Sequence, residues 1–241
     1  MTSALDPMEF VRIAEALRAA PTPSRTAEDI VGYVRDQLDA EHAGITLIRS
    51  RQLETVASTD ALVDQADALQ YELDEGPCRD SSWQGQTLIV SDLGADGRWP
   101  RWATKVTALG ISSVLAAELA GSRPHRRLGS INVYWPGRRT FTDDEIAFVN
   151  IFARHAALAL ARSLDEAGLN TALDSRKRIG QAQGILMERY GLDEARAFEV
   201  LRRYSQDHNV KLRQVAEDLV TTRKLPAGSR LDGSTGVALA G

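Results

Sequence analysis

Apolar residues recur along this chain with two different periods, and the change from one to the other divides it. Over Pro7 to Ala20, Phe10, Ile13, Ala14 and Leu17 stand at the spacing of a helix with one apolar stripe. "APTPS" breaks the stripe, and Ser24 predicts an N-cap for a second helix through Asp29, Ile30, Tyr33, Val34 and Leu38. Gly44–Arg49 and Leu53–Ser58 read as strands joined by a hairpin turn at "SRQ". A helical patch at Leu62–Leu69 leads into "DEGPCRDSSWQGQ", a loop with a short helix. Thr87–Val90 reads as a strand, "DLGADGRWP" as a turn, and "RWATKVTALG" as a helix ended by Gly110. Ser112–Leu119 and Leu128–Trp135 are two further strands around the basic loop "AGSRPHRR". Strands mixed with helices, with hairpin-type connections at both ends, predict an α+β domain: an antiparallel sheet flanked by helices.

From Phe141 onward the period is helical only. Thr142 and Glu145 form a capping box. Ile146, Val149, Ala153, Ala156, Leu160 and Leu164 then follow at steps of 3, 4, 3, 4 and 4, a coiled-coil-like seam. Such a seam serves a helix lying on the sheet or a dimer stalk, or both along different halves. Gly191 ends a helix. Asp193 caps the next, with Ala195, Phe198, Leu201 and Tyr204 inward, and Asn209 stops it. The last helix turns Leu212, Val215, Ala216 and Leu219 inward. The expected organisation is an α+β domain over residues 1–162, joined by a long coiled-coil-like helix to an all-α three-helix bundle over 163–225. Residues 226–241 lack periodicity and are expected to be a disordered tail.

Charge sharpens the division. The chain carries a net charge of −4, yet Thr171–Leu225 holds 11 Lys and Arg against 8 Asp and Glu, while the rest is acidic. That asymmetry points to a polyanion partner for the bundle. The single cysteine, Cys78, excludes an internal disulfide and a cysteine-built zinc site, and four scattered histidines offer no ligand spacing. No nucleophile–base pair or phosphate-binding glycine loop stands out, so no enzyme, metal or cofactor is expected. No run of 18 apolar residues and no basic leader appear, which predicts a cytoplasmic protein without a membrane partner.

The stretch "SRKRIGQAQGILMERYGLDEARAFEVLRRYSQDHNVKLRQVAEDLV" resembles the ANTAR domain over roughly Leu173 to Thr222. It carries the "A-x-G-I-L-M" core of Ala182, Gly184, Ile185, Leu186 and Met187, the "A-F-x-x-L-R" of the second helix and the "V-A" of the third. Gln183 stands where the family often has lysine. The N-terminal part, through "DEGPCRD" and "FTDDEIAFVNIFARHAALAL", is similar to a GAF domain over roughly Thr26 to Arg162. The ANTAR resemblance implies a bacterial transcription antitermination regulator that binds paired RNA stem-loops in nascent transcripts, and a target with two hairpins calls for a homodimer. The GAF resemblance implies a sensor for a small-molecule or protein signal that gates binding.

Residues able to hold RNA are Arg176, Lys177 and Arg178, with Gln181 and Gln183 as amides for base edges, Gly184 for close approach, and Arg202, Arg203 and Arg213 as a second basic edge. Gly180 and Gly184 lie one turn apart inside a helix, where each costs about 1 kcal/mol relative to alanine. Either the second helix packs under Ala195 and Phe198 against them, or RNA approaches there. Met187 is expected in the core. Cys78, Trp83, Trp99 and Trp102 flank loops that frame a sensor pocket or serve as core. Two rival readings stay open: a DNA-binding factor with "NVKLRQVAEDLV" in a helix-turn-helix, and a dimerising adaptor whose last domain meets a protein. The acids Glu217 and Asp218 on the third helix weigh against the first.

Overall fold

The computed structural model describes residues 7–121 and 127–224, with side chains from Arg12 onward. It divides into two compact units at Ala167/Gly168. The expected tail falls outside the described residues, as does most of the basic loop before Arg127.

In the first unit, α1 (Pro7–Ala19) and α2 (Pro23–Gln37) precede a hairpin of β1 (His42–Arg49) and β2 (Gln52–Ser58). Then come α3 (Ala61–Leu73), α4 (Pro77–Gln84), β3 (Leu88–Val90), α5 (Pro100–Ala108), β4 (Ser113–Ala120) and β5 (Arg127–Trp135). The five strands form one sheet in the order β2-β1-β5-β4-β3, antiparallel throughout, as the α+β reading requires. Thr22, not Ser24, caps α2: its hydroxyl accepts from Arg25 N at 3.2 Å because Pro23 already occupies the first helical position. The β1–β2 turn has two residues, not three; Ser50 and Arg51 both take left-handed φ (51° and 65°), and Gln52 pairs with Arg49.

Alternation along the strands gives the sheet two unlike faces. Ile45, Leu47, Leu115, Leu119, Ile131 and Val133 meet α1, α2 and the start of α6 (Asp143–Tyr190) in an apolar core. Their neighbours Thr46, Ser130, Asn132 and Tyr134 point to the other face, under α3 and α4, and are fully buried. Gly129 sits at φ 152° where β5 crosses β1, and any Cβ there would strike the backbone of Thr46 and Leu47.

The Thr142–Glu145 capping box forms: Glu145 N donates to Thr142 Oγ1 at 3.2 Å, and Thr142 N to Glu145 Oε2 at 2.9 Å. Of the expected seam, Val149, Ala153, Ala156 and Leu160 are buried in the apolar core beneath the sheet. Over that stretch the sheet-packing alternative prevails over the stalk.

The second unit holds the end of α6, α7 (Glu194–Asp207) and α8 (Leu212–Thr222). Gly191, at φ 65°, stops α6 and Asp193 caps α7, its carboxylate accepting from Arg196 N at 2.8 Å. The small core comprises Ala182, Leu186, Ala197, Leu201, Tyr204, Val215, Ala216 and Leu219. Here the expectation for α7 needs correction: Ala195 and Phe198 face solvent, and Ala197 lies inside in their place. The arc of α7 that faces its partners is centred on Leu201 and Tyr204, which lie four and seven residues beyond Ala197.

Candidate functional site

In the second unit the structure sorts the expected RNA-binding residues by their partners. Arg176 and Lys177 are exposed and carry no ion pair among the described residues. Arg178 is half-buried, 3.4 Å from Glu217 of α8, and its charge is partly spent inside the bundle. Gln181 is exposed, whereas Gln183 donates its amide to Glu194 O at 3.1 Å and holds α6 to the start of α7. Arg202 is bound to Glu199 at 2.6 Å and Arg203 to Asp207 at 3.7 Å; Arg213 is exposed with no such pair. Arg202 and Arg203 of the second basic edge are thus paired within α7, while Arg176 and Lys177 on α6 and Arg213 on α8 keep charges without an ion pair among the described residues.

Gly180 and Gly184 are exposed, and a Cβ at either would meet nothing within 4 Å. Close helix packing does not explain them, because Ala195 and Phe198 lie elsewhere. Arg176, Gly180 and Gly184 recur at i, i+4 and i+8, with Lys177 and Gln181 beside them, so all five share one side of α6. Next to Gly184 a groove of about 420 Å³ opens between α6 and α8, with Gln181, Arg189, Val220 and Arg223 on its walls. Arg189 donates to Arg223 O at 2.7 Å across it. Met187, expected in the core, is 36% exposed on the same side as Gly180 and Gly184.

In the first unit the four expected sensor residues separate. Trp102 and Cys78 are fully buried and Trp99 nearly so; Trp102 donates to Ala66 O at 3.0 Å and Trp99 to Asp80 at 2.9 Å. These three are core. Trp83 alone lines a cleft, of about 420 Å³, together with Arg51, Gln52, Tyr71, Asp74 and Arg79.

Behind Tyr71 lies a closed polar network. The Asp67 carboxylate is fully buried and accepts from Tyr134 OH, from Thr55 at 2.9 Å, and more weakly from Thr46 and Gln70 at 3.4 Å. None of these partners is a cation, and burial pushes the Asp67 carboxyl up to about 6. Cys78 Sγ lies 3.0 Å from Tyr134 OH, and burial raises its thiol well above the ordinary range, which makes it a poor nucleophile. Among the described residues no group of His, Cys, Asp and Glu is placed to hold a metal ion, and no helix is long and apolar enough to cross a membrane.

The GAF domain model matches residues 20–161, more than half of the chain, and the ANTAR domain model matches residues 167–220. The chain belongs to the GAF family, with an ANTAR domain at its C-terminal end. No curated protein matches it. Among solved structures, the GAF domain of a phosphoenolpyruvate-protein phosphotransferase from Coxiella burnetii is 16% identical, with 69% of this chain and 99% of that one covered and a TM-score of 0.55. The corresponding Acinetobacter domain is 13% identical, covering 67% and 97%, with a TM-score of 0.50. A domain from a two-component sensor histidine kinase protein of Sinorhizobium meliloti 1021 is 18% identical, covering 60% and 94%, also at 0.50. At these identities the likeness shows the fold.

A GAF–ANTAR chain is an RNA-binding antitermination regulator with a sensor domain, an architecture of signal transduction rather than a kind of enzyme. The DNA-binding alternative finds no support. The sequence reading did not single out Arg189 or Arg223 for this groove. It also missed Arg51, Tyr71 and Arg79 in the cleft. Arg51 had a visible signal, since the expected hairpin turn "SRQ" lacks the glycine or asparagine such turns favour.

Proposed function

We propose that this GAF–ANTAR protein acts as a homodimer that grips two stem-loops of a nascent transcript, one per bundle, and that its sensor domain gates that grip. The observation that carries the reading is the side of α6 where unpaired Arg176 and Lys177 adjoin Gln181 and the open Gly180 and Gly184. Cations without internal partners lose little on meeting phosphates, and helix backbone bare of side chains lets a nucleotide approach closely. Arg178, Gln183, Arg202 and Arg203 then act mainly within the bundle, and Arg213 and Arg223 add reach. Supporting the dimer, each half of α6 leaves large apolar residues uncovered: Ile151 and Leu158 in the first unit, Leu169 and Leu173 in the second.

The test is binding of the full chain to a transcript with two adjacent short-looped stems and to duplex DNA, titrated from about 50 to 200 mM salt. RNA is expected to win. The double variant Arg176→Ala, Lys177→Ala is expected to lose at least about tenfold in affinity, with a salt slope shallower by about one to two. Equal binding to DNA, or an unchanged affinity in the double variant, would overturn the reading.

A further inference from the structure

The cleft beside Trp83 has one wall that the fold alone does not account for. Ser50 and Arg51 form the whole β1–β2 turn, both at left-handed φ, where glycine or asparagine is the relaxed choice. The chain instead keeps a long cation at φ 65° and places it on the cleft. Arg51 has no acidic partner among the described residues, whereas Arg49 near it is 3.3 Å from Glu54. A strained cation without an internal ion pair is a candidate for an external partner. The cleft's other arginine is held differently: Arg79 lies between Asp74 at 2.5 Å and Asp80 at 2.7 Å, so its charge is offset and its position fixed. The rings of Tyr71 and Trp83 and the amide of Gln52 line the same cleft.

We propose that this cleft is the ligand site of the sensor and takes a small aromatic carboxylic acid, its carboxylate on Arg51 and its ring against Trp83 and Tyr71. The inference rests on the sensor reading above and gives it a ligand class. One unpaired guanidinium matches one carboxylate, in the paired geometry that arginine favours. A nucleotide with a free terminal phosphate would set more than one negative charge against that single unpaired cation, with Asp74 on the wall. A bare inorganic anion would leave both rings unused. The volume of about 420 Å³ lies in the range of small-ligand sites. The cleft also reaches the interior: Tyr71 OH bonds Thr46 at 2.9 Å and Thr55 at 2.8 Å, and both donate to Asp67. A ligand that shifts Tyr71 thereby disturbs the buried network.

The experiment titrates full-length protein with 2-naphthoate, 2-naphthamide and inorganic phosphate by calorimetry, with the affinity for two-stem RNA measured in the same samples. Naphthoate is expected to bind at least tenfold tighter than either control. Arg51→Gly relieves the turn and is expected to raise the melting temperature by about 1–3 °C while lowering naphthoate affinity at least tenfold; Arg51→Lys retains part of it. Because the glycine variant is expected to fold better than the parent, loss of binding is not loss of fold. Naphthamide binding as well as naphthoate would overturn the charge assignment, and phosphate binding as well would overturn the aromatic one. No binding of naphthoate, or binding indifferent to Arg51→Gly, would overturn the site while leaving RNA recognition standing. Naphthoate bound with RNA affinity unchanged would keep the site and sink its role in sensing.

Discussion

The two units treat polar groups in opposite ways. In the sensor, Thr46, Asp67, Gln70, Ser130 and Asn132 are fully buried and bonded to one another, with Asn132 donating to Thr46 at 2.8 Å and Ser130 to Asn132 at 2.7 Å. In the bundle every described buried residue belongs to an eight-residue core, and the only polar group among them is the Tyr204 hydroxyl. Its charges are paired at the surface, over short spans except for Arg178 with Glu217, or left bare. A buried polar network fixes one arrangement of its neighbours and makes any change in a member felt by the others. A thin apolar core does no more than hold three helices in register, which suits a surface whose chemistry is directed outward. Helix α6 shows the contrast within one element. Up to Ala167 it buries Phe148, Val149, Phe152, Ala153, Ala156, Ala157, Leu160 and Ala161 beside its capping Glu145; beyond that point only Ala182 and Leu186 are buried.

The largest expected effect breaks the comparison along α6. Leu160→Ala removes a fully buried side chain from the apolar core and is expected to cost about 3–5 kcal/mol of unfolding free energy. Leu169→Ala, nine residues on and 62% exposed, is expected to change stability by less than about 0.5 kcal/mol. Urea unfolding of both variants at two protein concentrations checks this. A cost at Leu169 that grows with protein concentration would mean that a second copy covers it; equal, concentration-independent costs would erase the contrast.

Next in size is the buried acid. Asp67 is held at about 6 against 3.8 for the free group, with burial as the cause and the donors Tyr134, Thr55 and Thr46 opposing it, while Asp64 adds to the rise. Below the unfolded value Asp67 is neutral in both states and costs nothing. As pH rises through the folded value the native state must hold a buried charge, so stability falls between about pH 4 and pH 6 and the loss is constant above, at about 3 kcal/mol. Asp67→Asn removes that slope. Its stability relative to the parent is expected to climb from pH 4 to pH 6 and level off by pH 7.5 in urea unfolding. A difference that falls over that window would contradict the assignment.

What was legible in the sequence follows the same division. Strand alternation and helical period gave the order of elements, the antiparallel sheet and the capping box, because each is set by near neighbours. The side of the sheet on which Trp99, Trp102 and Cys78 would close was not legible, since the sheet order that buries them is a long-range fact. Nor was the choice of seam on α6. Val149, Ala153, Ala156 and Leu160 fit a stalk and a sheet equally well, and only the presence of a sheet decides. At the proposed RNA surface the internal partners were not legible: nothing in the spacing says that Glu217 takes Arg178 or that Gln183 turns to Glu194.

The smallest effect tests what the glycines are for. Gly168 and Gly184 both sit inside α6, and at both a Cβ would meet nothing within 4 Å. Alanine at either position is expected to stabilise by about 1 kcal/mol, since helix propensity gains and no contact opposes it. In RNA binding they are expected to part. Gly168→Ala should leave affinity unchanged, whereas Gly184→Ala should weaken it several-fold and Gly184→Leu, which fills the groove shared with Val220 and Arg223, should weaken it further. Thermal unfolding and RNA titration of the same three proteins read both quantities. Weaker binding from a more stable bundle cannot come from damage to the fold; it would show that the open backbone at Gly184 is kept for a partner from outside the chain. Unchanged binding in all three would move the RNA away from the groove and leave Arg176 and Lys177 to hold it alone.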